Sequence, residues 1–208
     1  MNRLIALAML LFAVTMAAQT PRLPQNAASA RDFAPNGWHV YFADKGDLNK
    51  DGISDLAFIL QSDNSKGSRI LGIAFGKKGG GYRLQVQNAG FLSFDEDFTD
   101  SFVDMSIKKG TLHFNFLLPS TPAFDDKDSF IFRFQNGRFE LIGWQREHID
   151  NVKNKVREAT SVNFSTKTII AEDRTKKSET RKKVFSYGRL KSFDEVKPGE
   201  FQMSYDDL

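Results

Sequence analysis

Short turn signals recur from residue 76 onward, each between two strand-like segments, and this rhythm constrains the fold more than any other feature of the sequence. The turn centres lie near Gly80, Gly110, Gly137 and Thr166, about 27–30 residues apart. Asn136-Gly137 is the strongest signal, because Asn-Gly is a preferred pair for a tight β-hairpin. The flanking sequences differ too much to form a repeat. The pattern therefore predicts an antiparallel meander of hairpins.

The segments between the turns have the patterns of strands. Residues 55–61 and 69–75 are apolar on both faces, as in strands that are buried on both sides. Later segments alternate: Leu112, Phe114 and Phe116 share a face opposite polar neighbours, which indicates one buried and one solvated face. The 20 Phe residues suit aromatic packing across sheets. The predicted class is all-β and mostly antiparallel, with little helix beyond an N-terminal signal segment.

The sequence divides into four parts. Residues 1–18 show a charged start, an apolar run and then small residues, which is the order of a secretory signal peptide. Residues 19–36 are rich in Pro, Ala and Asn and predict a flexible leader. A single β domain is expected over residues 37–197, and a loosely ordered tail over residues 198–208.

Composition and the signal segment indicate the compartment. The chain has no Cys, so an exported domain of this size must rely on its apolar core rather than on disulfides. The apolar run is too short for a membrane span. The formal charge of +3 becomes +2 when cleavage removes Arg3, which gives no indication of nucleic acid as a partner. We expect a periplasmic or secreted protein that is monomeric and does not span the membrane.

Oxygen-bearing side chains occupy alternate positions in the segment that precedes the first buried strand. They fall at positions 1, 3, 5 and 9 of one loop, and Gly52 lies at position 6, where such a loop makes a sharp turn. The residue at position 7 can add its backbone carbonyl, and water can complete the coordination of a calcium ion. The candidate metal ligands are Asp47, Asn49, Asp51, Ile53 and Asp55.

This D-x-N-x-D-G-x-x-D order, running directly into a buried strand, resembles the calcium loops of FG-GAP and VCBS-type repeats. The resemblance implies that the loop holds calcium. The loop is not an EF-hand, because position 12 is Phe58 rather than Glu. Only one copy is present, so a propeller of several blades is not implied. The alternative interpretation is a polar turn between strands that needs no metal.

Other charged groups offer weaker candidates. The acidic clusters at residues 95–104 and 125–128 suit either a second cation or paired acid–base work, although solvated carboxylates are the ordinary expectation between strands. His39, His113 and His148 lack the spacing of a zinc site. The basic stretch 174–191 is interpreted as a solvated loop, with an anionic-polymer site as the alternative. The polar residues 145–160 predict a loop, and the strongly charged residues 171–183 predict a mobile insertion.

Together these features favour a non-enzymatic, exported calcium-binding module with a binding or interaction role. Its expected partner is a protein or a polysaccharide, with no nucleic acid. The alternative function is a secreted hydrolase that acts on a polysaccharide through the carboxylates of the acidic clusters.

The signal segment makes a direct prediction. The mature protein should begin at or near Ala18 or Gln19, because small residues follow the apolar run there. N-terminal sequencing of the exported protein measures this. A cytosolic species that retains Met1 would contradict the predicted export.

Overall fold

Strands account for most of the regular structure in the computed structural model, which describes residues 20–94, 100–175 and 179–206. Short 3-10 helices lie at Arg31–Phe33 and Phe193–Glu195. The strands in chain order are β1 (Asn26–Ala27), β2 (Trp38–Gly46), β3 (Asp55–Ser62), β4 (Arg69–Gly76), β5 (Tyr82–Asn88), β6 (Phe102–Lys108), β7 (Thr111–Thr121), β8 (Phe124–Gln135), β9 (Arg138–Asp150), β10 (Lys155–Asn163), β11 (Thr168–Asp173) and β12 (Glu179–Val184).

The strands form two antiparallel sheets. One has five strands in the order β1-β5-β4-β3-β2, and the other has seven in the order β12-β11-β10-β9-β8-β7-β6. Strands that are consecutive in the sequence pair with each other, from β2 to β5 in one sheet and from β6 to β12 in the other. The predicted all-β, antiparallel meander is therefore confirmed.

The two sheets pack against each other through a large apolar core. Alternate residues of β3 and β4, such as Ile59 and Ile73, face Phe114 and Phe132 of the seven-stranded sheet in this core. Rings cross the interface at close range: Phe75 lies edge-on to Phe134 with ring centroids 4.9 Å apart. The many Phe residues thus fill the space between the sheets, as the composition suggested.

The opposite face of the five-stranded sheet is covered by the N-terminal segment. Phe58 lies across Gly72 on the neighbouring strand, where a Cβ atom would come within 2.1 Å of the ring. Phe33 stacks on Phe58 with ring centroids 4.8 Å apart, and both side chains are fully buried. Leu23 is buried in the same cluster. The prediction of a flexible leader is thus corrected for residues 20–36, which pack as the second cover of a sheet that is apolar on both faces.

Three further predictions need correction. Residues 145–160, interpreted as a loop, form the end of β9 and most of β10. Residues 171–183, interpreted as a mobile insertion, belong largely to β11 and β12 in their described part. The tail is packed rather than loose up to Phe201, which is 8% exposed and lies against Trp144 with ring centroids 5.6 Å apart. The predicted signal segment, residues 1–18, lies outside the described residues.

The sequence pattern does not identify residues 145–150, the end of β9, as part of a strand, and the reason is physical. No residue of 145–150 belongs to an apolar core cluster, although this segment pairs with both β8 and β10. Backbone pairing holds the segment extended, while all of its side chains except Ile149 are polar. Alternation of apolar and polar residues, on which strand prediction depends, is therefore absent.

The packing of the N-terminal segment leads to a prediction. Phe33→Ala should lower the free energy of unfolding by about 3–5 kcal/mol, because it removes a buried ring and leaves a cavity over Phe58. Arg31→Ala, at an exposed position of the same short helix, is the control and should change stability little. Urea denaturation measures both, and equal stabilities of the two variants would contradict the packing described.

Candidate metal site

The predicted metal loop connects β2 to β3 and turns sharply twice. Lys50 has a φ of +63° and Gly52 a φ of +81°. Gly52 adopts this left-handed conformation without the strain that a side chain would introduce. The sharp turn expected at position 6 is present.

Side-chain oxygens of the loop point toward its own backbone. The Asp47 carboxylate accepts hydrogen bonds from the N–H groups of Asp51 (3.2 Å) and Gly52 (3.0 Å). Asn49 Oδ1 accepts from the Asp51 N–H at 3.0 Å, and Asp51 Oδ1 accepts from the Ile53 N–H at 2.8 Å. Three predicted ligands at positions 1, 3 and 5 therefore gather around residues 51–53, where they hold the turn in shape.

The amide of Asn49 adds a link across the loop. Its Nδ2 donates to Asp51 Oδ2 at 3.0 Å, so Asn49 contacts Asp51 as both acceptor and donor. Within the described residues, no group of three or more His, Cys, Asp or Glu side chains is placed to hold a metal ion. A cation in this loop would therefore depend on the Asn49 amide oxygen, the Ile53 carbonyl and water in addition to carboxylates.

Asp55 is placed differently from the other predicted ligands. It is fully buried at the start of β3. Its Oδ2 accepts from the N–H groups of Leu48 (2.8 Å) and Asn49 (3.2 Å), and its Oδ1 accepts from the Gly76 N–H at 2.9 Å. Burial raises the pKa of the Asp55 carboxyl, and these backbone hydrogen bonds oppose the rise. One carboxylate thus ties the loop to the end of β4.

The loop also joins the two sheets. Leu48 is 1% exposed and belongs to the core between them. A Cβ atom on Gly46 would come within 2.5 Å of the Ile107 side chain on β6, so only Gly permits this approach. The Gly110 turn, which joins β6 to β7, lies against the backbone oxygen of Asp47. Local sequence patterns do not indicate these contacts, because they join strands distant along the chain.

The acidic clusters do not converge on one site in the described residues. Asp126 and Asp128 lie on one face of β8 and Asp125 on the other, because side chains alternate along a strand. Asp128 is fully buried and binds Arg146 through both oxygens at 2.7 Å. Asp126 hydrogen-bonds the ring of His148 at 2.8 Å. The cluster predicted to lie between strands is thus part of a strand.

The first acidic cluster lies partly outside the described residues, which exclude 95–99. Its Asp100 forms an ion pair with Arg69, which is 2% exposed and stacks over the ring of Tyr41. Asp104 accepts a hydrogen bond from Asn115 at 2.6 Å. These partners are structural, so the described carboxylates give no support to the predicted acid–base chemistry.

The basic stretch is partly neutralised where it is described. Arg174 pairs with Glu172 and Arg181 with Asp206. Arg189 binds both oxygens of Glu195, which lowers the pKa of that carboxyl to about 2. Lys182, Lys183 and Lys191 form no ion pair in the described part of the chain, so the alternative of an anionic-polymer site stays a prediction.

The three histidines have different partners. His39 contacts Asp63, and His148 contacts Asp126. His113 hydrogen-bonds Thr111 on its own strand, and burial lowers its pKa.

Comparison with known proteins adds no relative. No family model matches the chain, and neither a curated protein nor a solved structure matches it significantly. Within the residues that the structure describes, no helix is both long enough and apolar enough to cross a membrane.

The role of Asp55 can be separated from metal binding. In the presence of EGTA, Asp55→Ala should lower the free energy of unfolding by about 2–4 kcal/mol, because three backbone N–H groups lose a charged acceptor. Asp51→Ala, which removes an exposed carboxylate of the same loop, is the matched control and should have a smaller effect. Chemical denaturation measures both, and equal losses would contradict the anchoring role of Asp55.

Proposed function

We propose that this protein is an exported, non-enzymatic module whose β2–β3 loop binds one calcium ion and whose role is to bind a protein or polysaccharide partner. The observation that carries the calcium proposal is the arrangement of Asp47, Asn49 and Asp51. Their oxygens turn toward the same short piece of backbone at residues 51–53. Carboxylate, amide and carbonyl oxygens are the ligands that calcium takes in proteins.

The residues of the loop fit a calcium ion by their chemistry. Asp47, Asn49 and Asp51 would contribute side-chain oxygens, Ile53 its carbonyl, and Asp55 a further carboxylate. A carboxylate oxygen that accepts one hydrogen bond retains a second lone pair. The hydrogen bonds to the loop backbone are therefore compatible with coordination, and they orient the oxygens beforehand.

Charge supports the same assignment. Asp47, Asp51 and Asp55 place three negative charges within nine residues, and Lys50 is the single cation among them. Burial is the main cause of the raised pKa of Asp55, and the charge of Asp51 adds to the rise. A bound divalent cation would neutralise much of this charge and stabilise the loop.

The ion would have a structural effect, because the loop contacts both sheets. Leu48 enters the core from within the loop, and Asp55 holds the end of β4. Calcium would stiffen the connection between Gly46 and Asp55 and, with it, the seam where β2 meets β6. Such a rigid framework suits a monomeric module that presents surfaces to a partner outside the cytoplasm.

A thermal measurement tests the calcium proposal. Extracellular modules bind calcium with dissociation constants near 10⁻⁴–10⁻³ M, so about 1 mM calcium should add about 0.4–1.4 kcal/mol of stability. The melting temperature should therefore fall by about 1–6 °C in EGTA. Magnesium should restore it poorly, because magnesium requires a tighter octahedron.

Matched variants make this experiment specific. Asp51→Ala should abolish the calcium dependence, and Asp125→Ala, outside the loop, should retain it. Gly52→Val should lower stability with or without calcium, because the φ of +81° strains a branched residue. If the melting temperature and a calorimetric titration of the wild-type protein both ignore millimolar calcium, the loop is a polar turn and the calcium proposal fails.

A further inference from the structure

A cleft lies at the end of the seven-stranded sheet that extends past the apolar core. It separates the inner face of β9 to β12 from the C-terminal residues 202–206, and its volume is about 530 Å³. That is within the range of small-ligand sites, which combine a concave surface with a few convergent polar groups. No residue of the loop 46–55 contributes to it.

Small side chains form the floor of the cleft. Cross-strand register places Arg146, Thr160, Ala171 and Arg181 in one row across β9, β10, β11 and β12. The row is on the core face of the sheet, because it is two residues along from the buried Trp144. Short side chains at its centre and Arg at both ends produce a depression with a cationic wall.

A row of carboxylates borders the cationic row. Glu158, Asp173 and Glu179 are cross-strand neighbours, two residues farther along the same strands. Two residues of a strand span about 7 Å. Asp173 accepts hydrogen bonds from the N–H and hydroxyl of Thr175, whereas the carboxylates of Glu158 and Glu179 have no hydrogen bond or ion pair in the described part of the chain. The cleft therefore offers opposite charges at a fixed separation.

The C-terminal residues close the cationic side with a weak contact. The tail is anchored at Phe201, which packs on Trp144. Beyond it, Arg181 covers the ring of Tyr205 at 4.6 Å and pairs with Asp206 at 3.2 Å. The Asp206 side chain is 72% exposed, and an exposed pair of this kind is weak. Asp206 thus occupies a position on Arg181 that a ligand carboxylate would take.

A buried donor lies at the inner end of the cleft. Trp144 is 2% exposed, and its indole N–H has no hydrogen-bond partner in the described structure. The nearest carboxylate, Asp128, is bound through both oxygens to Arg146. Burial raises the pKa of Asp128, and Arg146 together with the nearby indole opposes that rise. The indole N–H therefore lies near the Asp128 carboxylate, where the cleft meets the buried part of the sheet.

We infer that the cleft binds the two charged ends of a short peptide. The peptide carboxylate pairs with Arg181 in place of Asp206, and its ammonium group lies between the carboxylates of Glu158 and Glu179. The extended backbone of a dipeptide spans about 7 Å, which matches the separation of the two rows. This inference goes beyond the binding role proposed above, and it is independent of calcium because the two sites share no residue.

The test uses the dipeptide alanyl-alanine as the probe in calorimetric or NMR titrations of the whole protein. Its N-acetyl derivative lacks the ammonium group and its C-terminal amide lacks the carboxylate, so both should bind at least about tenfold more weakly. Binding of either derivative as tightly as the dipeptide would overturn the inference, and so would the absence of binding at millimolar dipeptide. The dipeptide titration is performed both with calcium and with EGTA. Dipeptide binding should be the same in both, so failure of the calcium proposal can be distinguished from failure of this inference.

Variants on one strand identify the contacts. Arg181→Gln should weaken dipeptide binding about tenfold or more, and Lys182→Gln, on the opposite face of β12, should leave it unchanged. Asp206→Asn should strengthen binding, because it removes the carboxylate that competes for Arg181. Weaker binding by Asp206→Asn, or equal binding by the Arg181 and Lys182 variants, would overturn the inference. Circular dichroism confirms that each variant is folded.

Discussion

Strands β3 and β4 are apolar on both faces, and the whole architecture follows from the need to cover them twice. Leaving either face in water would forfeit the burial of several large side chains, each contributing about 1.5–3 kcal/mol. One face is covered by the seven-stranded sheet. The other is covered by residues 20–36, which bring Leu23 and Phe33 onto Phe58. The N-terminal segment is therefore part of the fold, although its composition is that of a linker.

The two sheets differ in size, and the difference creates the polar end of the molecule. Five strands cannot cover seven, so part of the inner face of β9 to β12 extends past the apolar core. The chain fills part of this space with its own C-terminal residues, anchored at Phe201. What remains is a cleft lined by charged rows, held in place by the regular register of the strands. The polar side chains of these strands make them difficult to predict from the sequence pattern, and they also give the molecule a concave polar surface.

The β2–β3 loop connects these parts of the architecture. It begins at Gly46, where β2 meets β6, and it ends at Asp55, whose carboxylate gathers N–H groups from the loop and from β4. A polar loop so close to the core must satisfy its backbone groups internally, because buried N–H groups without partners are costly. Its Asp and Asn side chains provide that satisfaction. The oxygens that suit a cation are thus also the ones that shape the loop.

The sequence alone determined the strands whose apolar residues follow a clear pattern and whose ends are marked by typical turn residues. The hairpin around Asn136-Gly137, the buried strands β3 and β4, and the turn at Gly52 could all be predicted, because local residue preferences decide them. The sequence also identified Asp47, Asn49 and Asp51 as neighbours, since loop spacing is a local property.

Tertiary structure alone decided where those elements go. The anchoring of Asp55 to Gly76, the packing of Phe33 on Phe58 and the row from Arg146 to Arg181 join residues far apart in the chain. Local sequence patterns do not indicate such contacts. Each of these residues meets its partner only when the two sheets and the chain ends pack together. Burial and register, which are properties of the whole fold, supplied that information.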